Sequence, residues 1–219
     1  MHSMLVSAAA KRDVGIVKAL TSHGADLDSR DSCGHCILHK AVMSGNVATI
    51  EVLAAAGADF TPRDRRHGST PLHYAVVGGN LEAMAALFRN GADVNAKDFD
   101  GFTALHIACT VHSDLVGYRG AEAADLLLSW GADETATTIS GFTAEEKVRL
   151  REVTNSGRDS LLRVFDRSPA DRAWRRRRHF VLSRTRLAAG ARASWETGDL
   201  LGRVLNMDEG LFRSIVGFL

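Results

Sequence analysis

An all-α solenoid of stacked helix-turn-helix units is the fold class this sequence predicts, and three observations predict it. "ILHKA" at Ile37–Ala41, "PLHYA" at Pro71–Ala75 and "ALHIA" at Ala104–Ala108 align, so His39, His73 and His106 recur at spacings of 34 and 33 residues. A second landmark, Gly-Ala-Asp, begins at Gly24, Gly57, Gly91 and Gly131, with spacings of 33, 34 and 40. Third, apolar residues make up 45% of the 219 but aromatic ones only 6%, so alanine and leucine fill the core and helices can approach closely. One helix pair exposes an apolar face that it cannot bury alone, and stacking successive pairs buries it.

The elements follow in chain order. Residues 1–30 read as the first unit, where "LVSAAAKRDVGIVKAL" is a helix pair with Lys11 and Arg12 at its turn. Residues 31–63 form the second. Its "DSCGHCILH" puts Cys36 and Ile37 where the third unit has Thr70 and Pro71. That helix start therefore lacks a capping hydroxyl, worth about 1 kcal/mol, and a preset dihedral.

In the third unit, residues 64–97, Thr70 caps a helix and Pro71 stands at its first position. Leu72, Ala75 and Val76 share one face, and Gly78–Gly79 breaks the helix. Asn80 caps the next helix, whose apolar face is Leu81, Met84, Leu87 and Phe88. Gly91 ends it in a left-handed conformation, and "DVNAKDFDG" turns into the following unit.

The fourth unit, residues 98–137, carries about seven extra residues within "TVHSDLVGYRGAEAADLLLSWGAD", an insertion between its two helices. Residues 138–165 begin like a unit, but Glu145 and Glu146 hold the Leu and His slots. An apolar face that fails there suits a degenerate cap facing water.

Residues 166–219 leave the period. Met1–Phe165 holds 16 Lys+Arg against 20 Asp+Glu, whereas Asp166–Leu219 holds 11 Arg, no Lys and 6 acids. That shift sets a boundary near Asp166. "AWRRRRHFVL" places Trp174 and Val181 on one helical face, while "HFVLSRTRL" reads equally as a short strand; "DLLGRVLNM" and "GLFRSIVGFL" read as short helices. This small, basic, α-rich segment ends in Phe218–Leu219, and it either covers the open end of the stack or docks into a partner. Arg175–Arg178 reads as a solvated helix face or as an import patch.

"GSTPLHYAVVGGNLEAMAALFRNGADVNAKD" resembles the ankyrin repeat. So do "GFTALHIA", "LLLSWGAD" and the N-terminal "LVSAAAKRDVGIVKALTSHGAD", and the resemblance runs over roughly Met1 to Val153. It implies a slightly curved right-handed stack, with β-hairpin-like fingers along one edge and a concave face that binds other proteins. It also implies that the periodic histidine braces a helix start against the neighbouring loop. Repetition argues the same way: a catalyst is needed once, a packing residue in every unit.

Matching the family's variable surface slots implies protein-binding residues. These are Ser32, His35, Met43 and Ser44 in the second unit, and Arg65, Arg66, Ser69 and Val77 in the third. In the fourth they are Phe99, Asp100, Phe102 and Thr110. Tyr118 and Arg119 of the insertion join them as residue types enriched at interfaces. Phe99 and Phe102, either side of Gly101, are expected as exposed anchors. "RDRRHG", Arg63–Gly68, is one residue longer than its counterparts and is expected to crowd Arg63, Arg65, Arg66 and His67 at one tip. That tip is either simply solvated or turned towards an acidic partner.

Other chemistry is sparse. Cys33, Cys36 and His39 form a Cys-x2-Cys-x2-His string, but no second pair completes four zinc ligands. No metal and no cofactor are expected, and the thiols read as buried or half-buried. Three cysteines and no basic-then-apolar leader suit a reducing compartment, cytosol or nucleus. No apolar run nears the roughly 18 residues of a membrane span. Net charge, formally +1, names no partner, and with only Trp174 and Phe180 beside the arginine cluster, nucleic acid is not expected. A Gly-rich phosphate loop, a nucleophile elbow and a metal triad are all missing from the sequence, so an enzyme is not expected. The expected function is a monomeric, non-enzymatic scaffold that binds a protein ligand through the concave face and fingertips. The alternative is a substrate-recognition adaptor, for example of a ubiquitin ligase, with the C-terminal segment as docking element.

Overall fold

A left-handed residue ends the first helix of each early unit and thereby fixes the helix-turn-helix layout. Gly45 and Gly79 do this in the second and third units, with φ of 69° and 61°. In the first unit Arg12 holds the place at φ 62°, which costs a side-chain-bearing residue on the order of 1 kcal/mol. Its guanidinium offsets that cost, since Nε donates to the Ser44 carbonyl of the next unit at 2.8 Å.

The computed structural model describes residues 2–110, 119–150 and 155–166, all within the unit Met1–Asp166. These residues form ten helices in five pairs: α1 (His2–Ala10) with α2 (Val14–Ser22), α3 (Ile37–Met43) with α4 (Val47–Ala55), and α5 (Pro71–Val77) with α6 (Leu81–Arg89). α7 (Ala104–Thr110) with α8 (Gly120–Ser129) and α9 (Ala144–Leu150) with α10 (Asn155–Phe165) complete the series. The odd-numbered helices pack one on the next in a first row, and the even-numbered helices pack likewise in a second. Between the rows runs one apolar seam, through Leu5, Leu38, Leu72 and Leu105 from the first row and Ile50, Leu53, Met84, Leu87 and Leu127 from the second. Each such side chain contributes roughly 2 kcal/mol by leaving water. The described residues contain no strand, and the all-α solenoid stands.

The caps follow the residues that predict them. Asn46 and Asn80 accept from Thr49 N–H at 3.2 Å and Ala83 N–H at 2.9 Å, starting α4 and α6. At α9 the glutamate in the histidine slot is not a lost contact. Glu146 Oε2 accepts from Thr143 N–H at 2.8 Å and its hydroxyl at 3.1 Å, which closes a Thr-x-x-Glu capping box.

The fingers are tied tip to tip. Within the first three, an aspartate accepts backbone amides: Asp31 from Cys33 and His35, Asp64 from Arg66, His67 and Ser69, Asp98 from Asp100 and Phe102. In the last, Thr138 Oγ1 accepts from Phe142 N–H at 3.4 Å. Between them, Arg65 N–H donates to Cys33 O (3.2 Å), Phe99 N–H to His67 O (2.8 Å) and Ile139 N–H to Asp100 O (3.0 Å). One isolated antiparallel bridge, Thr137 to Thr143, marks the hairpin character of the last finger. A basic brace repeats alongside. Arg30 donates to Arg63 O, Arg63 to Lys97 O, and Lys97 Nζ to Thr137 O at 2.8 Å. Arg63 therefore does not join the basic tip; its charge is spent on backbone carbonyls of its own and the following finger.

Several expectations lie outside the described residues. They are the insertion with Tyr118, the helices and possible strand after Asp166, the Arg175–Arg178 patch, and the choice between capping and docking at Phe218–Leu219.

Candidate protein-binding surface

The three periodic histidines are spoken for on both ring nitrogens. Nδ1 of His73 accepts from Thr70 N–H (3.0 Å) and the Thr70 hydroxyl (2.8 Å), and its Nε2–H donates to Phe102 O at 3.2 Å. His106 does the same between Thr103 (3.2 and 2.9 Å) and Phe142 O (3.1 Å). His39 does so between Cys36 N–H (3.3 Å), the Cys36 thiol (3.2 Å) and Ser69 O (3.2 Å). A backbone N–H can only donate, so Nδ1 is the acceptor and each ring is the neutral Nε2–H tautomer. Burial holds all three below the usual histidine range, His39 at about 4. Each imidazole ties its own helix start to the next finger, so none has a lone pair to give to a metal or a substrate. The Cys33, Cys36, His39 string dissolves for the same reason. Cys36 and His39 are buried in one cap, with the Cys36 thiol pushed up by desolvation, while Cys33 stands exposed at the fingertip.

What the stack does not use faces outward along the fingers and the ends of the first-row helices. Met43, Val77 and Leu150 occupy the same seventh position of α3, α5 and α9, and are 54%, 50% and 66% exposed. Thr110 holds that position in α7, half-buried, with its hydroxyl donating to His106 O at 2.8 Å. Phe99 is 58% exposed at its fingertip, and Ile139 and Phe142 are exposed on the next finger. Ser32, Arg65, Arg66 and Asp100 are exposed tip residues, and Arg119 is exposed and paired with Glu122. Ser44 and Ser69 are half-buried and serve the scaffold, the first through bonds to Ala9 O and Ala41 O, the second through its carbonyl to His39.

Phe102 departs from expectation. It is half-buried against the core, edge-on to His106 at 5.8 Å, with the Lys147 ammonium 4.9 Å from its ring centre. The same ammonium lies 5.3 Å from the Phe142 ring. Phe99 is thus the exposed member of the pair around Gly101, and even it leans on the scaffold. A Cβ on Gly68 would come within 2.5 Å of the Phe99 ring, so that glycine exists to let the ring lie down.

His35 joins a polar cluster that crosses two units. Its Nε2–H donates to the Tyr74 hydroxyl at 2.9 Å, and that hydroxyl donates to Asp64 Oδ2 at 3.0 Å. Its Nδ1 lies 3.3 Å from Asp31 Oδ2, which also pairs with Lys40 Nζ at 2.7 Å. Burial opposes ionisation of Asp31, but the Lys40 ammonium and the His35 amide outweigh it and hold the carboxyl well below the usual range. Burial and the Asp64 carboxylate push Tyr74 up to about 12.

Tyr74, Lys147, Leu150, Ile139 and Phe142 were not singled out from the sequence. The helix register could have found Leu150, because it ends "AEEKVRL" where Val77 ends "PLHYAVV". Tyr74 leaves no such trace, since its partner His35 is 39 residues away.

A family model describing ankyrin repeats in three copies matches residues 4–98 and 63–138, more than half of the chain. Ankyrin repeat and SOCS box protein 6 of Homo sapiens is 39% identical over 136 residues, covering 60% of this chain and 32% of that protein. The Pongo abelii protein of the same name gives the same figures. SH3 and multiple ankyrin repeat domains protein 2 of Homo sapiens is 34% identical over 132 residues, 60% of this chain and 7% of that protein. The chain thus matches about a third or less of the length of these curated relatives.

Proposed function

The chain belongs to the ankyrin repeat family, and on that premise we propose that it is a non-enzymatic scaffold that binds a protein ligand through its fingertips and first-row helix ends. One observation carries the reading. Met43, Val77 and Leu150 recur in one helical position and stay exposed, although the seam that holds the stack leaves buried every apolar side chain it needs. Scattered exposed apolar residues need no explanation, but three locked to one helical register do, and Phe99 is exposed as well. Phe99 is an aromatic anchor held in place by the Gly68 turn, which limits the entropy lost on binding.

Pull-down with the full chain tests this. Val77→Arg and Phe99→Ala are expected to lose a specifically retained protein while leaving the circular dichroism spectrum and unfolding midpoint near wild type. Retention unchanged in both variants would sink the proposal. For the retained ligand, Arg66→Ala is expected to weaken binding several-fold and to flatten its dependence on salt, because Arg66 is an exposed charge at the tip that Arg63 has left. An unchanged salt slope rules out an acidic ligand.

The adaptor reading draws support from two relatives named for both ankyrin repeats and a SOCS box. It places the docking element in the segment after Asp166. Deleting Glu209–Leu219 separates the readings: a docking element leaves the stack's stability unchanged and abolishes one interaction, whereas a cap lowers the unfolding midpoint.

A further inference from the structure

The finger of the second unit carries donors that its neighbours lack. All three early fingers place an aspartate at the turn, and its Oδ1 holds backbone amides: Asp31 from Cys33 and His35 (2.9 Å each), Asp98 from Asp100 (3.0 Å) and Phe102 (2.8 Å). The fold asks nothing more of the positions two and four residues on. In the fourth unit they are Asp100 and Phe102, but in the second they are Cys33 and His35. One ligand atom from each of Asp31, Cys33 and His35 lies within 4.8 Å of the others. We propose that these three side chains form a Zn²⁺ site at the fingertip of the second unit, with the fourth position open to water.

The geometry is partly made. Two ligands about 2.0–2.1 Å from a tetrahedral zinc stand ~3.3 Å apart, and Asp31 Oδ2 and His35 Nδ1 are 3.3 Å apart. Asp31 Oδ1 is anchored by two amides, so Oδ2 is aimed rather than free to rotate. The correct imidazole nitrogen is also presented. Asp64 is ionised and can only accept, so the Tyr74 hydroxyl donates to it and accepts from His35 Nε2–H. That leaves the Nδ1 lone pair facing the site. A histidine whose far nitrogen is held by a polar chain is the outer-shell arrangement of a metal ligand. Cys33 is exposed and supplies the soft donor by a shift of about 1 Å in its side chain.

Two acceptors this close, an imidazole lone pair and a carboxylate oxygen, require a positive charge between them. Lys40 provides it, with Nζ 2.7 Å from Asp31 Oδ2 and 3.5 Å from His35 Nδ1. The lysine is a competitor on a flexible, half-buried stem. Zinc entry moves its ammonium to water and releases the Cys33 thiol proton to solvent, leaving a thiolate, a carboxylate and a neutral imidazole on the metal.

The test is titration of the reduced full chain with Co²⁺, followed by displacement with Zn²⁺. One equivalent of Co²⁺ should produce thiolate-to-metal absorption in the near ultraviolet. Cys33→Ser should abolish that band; Cys36→Ser should keep it, because its thiol is buried in the α3 cap. His35→Gln and Tyr74→Phe should each weaken binding by about 10-fold or more. Lys40→Met should tighten it by about 10-fold, the result that separates this site from adventitious binding at surface histidines. Absence of a thiolate band in the wild-type chain, a band that survives Cys33→Ser, or an affinity untouched by Lys40→Met overturns the proposal. Circular dichroism of each variant establishes that the stack is folded.

Discussion

Gly101→Ala is expected to lower the unfolding free energy by about 3 kcal/mol, and Gly91→Ala by only about 1 kcal/mol. Both glycines are left-handed, at φ 78° and 85°, so both substitutions meet the same backbone penalty of roughly 1–2 kcal/mol. What differs is the space. A Cβ on Gly91 meets nothing within 4 Å. A Cβ on Gly101 falls 2.8 Å from Ile139 N and 3.2 Å from Thr138 Cα and C. That backbone cannot swing aside as a side-chain tip can. Ile139 N–H is bonded to Asp100 O, and the same finger is held by Lys97 Nζ on Thr137 O. Moving it breaks tip-to-tip bonds, each worth roughly 1 kcal/mol. Urea unfolding near neutral pH checks the pair. Equal costs for the two variants would mean the fingers yield freely, and the tip ladder would then hold nothing.

The contrast shows which parts of the fold are legible in a single sequence. Gly101 and Gly91 both recur with the period, and recurrence announces a structural duty without saying which. The duties that can be read are local. Asn80 capping α6, Pro71 opening α5 and Leu87 facing inward depend on neighbours within one turn of helix. Contacts between units are harder. Arg30, Arg63 and Lys97 each precede a finger aspartate, so their period was visible, but their acceptors are backbone carbonyls a unit away, which carry no residue identity. Read without those acceptors, Arg63 counts towards a basic tip that it does not join. Phe102 departs from its sequence expectation for a related reason. Flanking a turn glycine suggests exposure, but the ring is drawn in by His106 beside it and by Lys147 from the next unit. Of the surface, the row through Met43 and Val77 follows from helix register, whereas the Asp31, His35, Tyr74 and Asp64 cluster needs two units placed side by side.

Stability should fall steeply as pH drops from 6.5 towards 4, before most carboxylates titrate. Burial depresses His39, His73 and His106 in the folded chain, His39 to about 4, while an unfolded histidine titrates near 6.5. Between those values the unfolded chain binds more protons than the folded one, so stability rises with pH in this window. It is fully present above 6.5 and is lost as pH falls through the folded values. For His39 the loss approaches 3 kcal/mol, at about 1.4 kcal/mol per unit. The structural cause is specific. Protonating Nδ1 of His73 sets an N–H against the Thr70 amide that it now accepts from, so the helix cap must break before the ring can charge. The depressed carboxyls of Asp31 and Asp64 act in the same direction but at lower pH, which keeps the histidine window distinct. Urea unfolding at intervals between pH 4.5 and 7.5 should show stability rising with pH across this window, with the His39 contribution steepest midway between about 4 and 6.5. His73→Gln should lower stability at pH 7.5 by about 2–3 kcal/mol, because the Thr70 amide and the Phe102 carbonyl both lose their buried partner. It should also reduce the slope, a change that lost packing alone does not produce. A flat profile down to pH 5 would mean the rings charge without breaking their caps, and the neutral tautomer assigned from the backbone donors would be wrong.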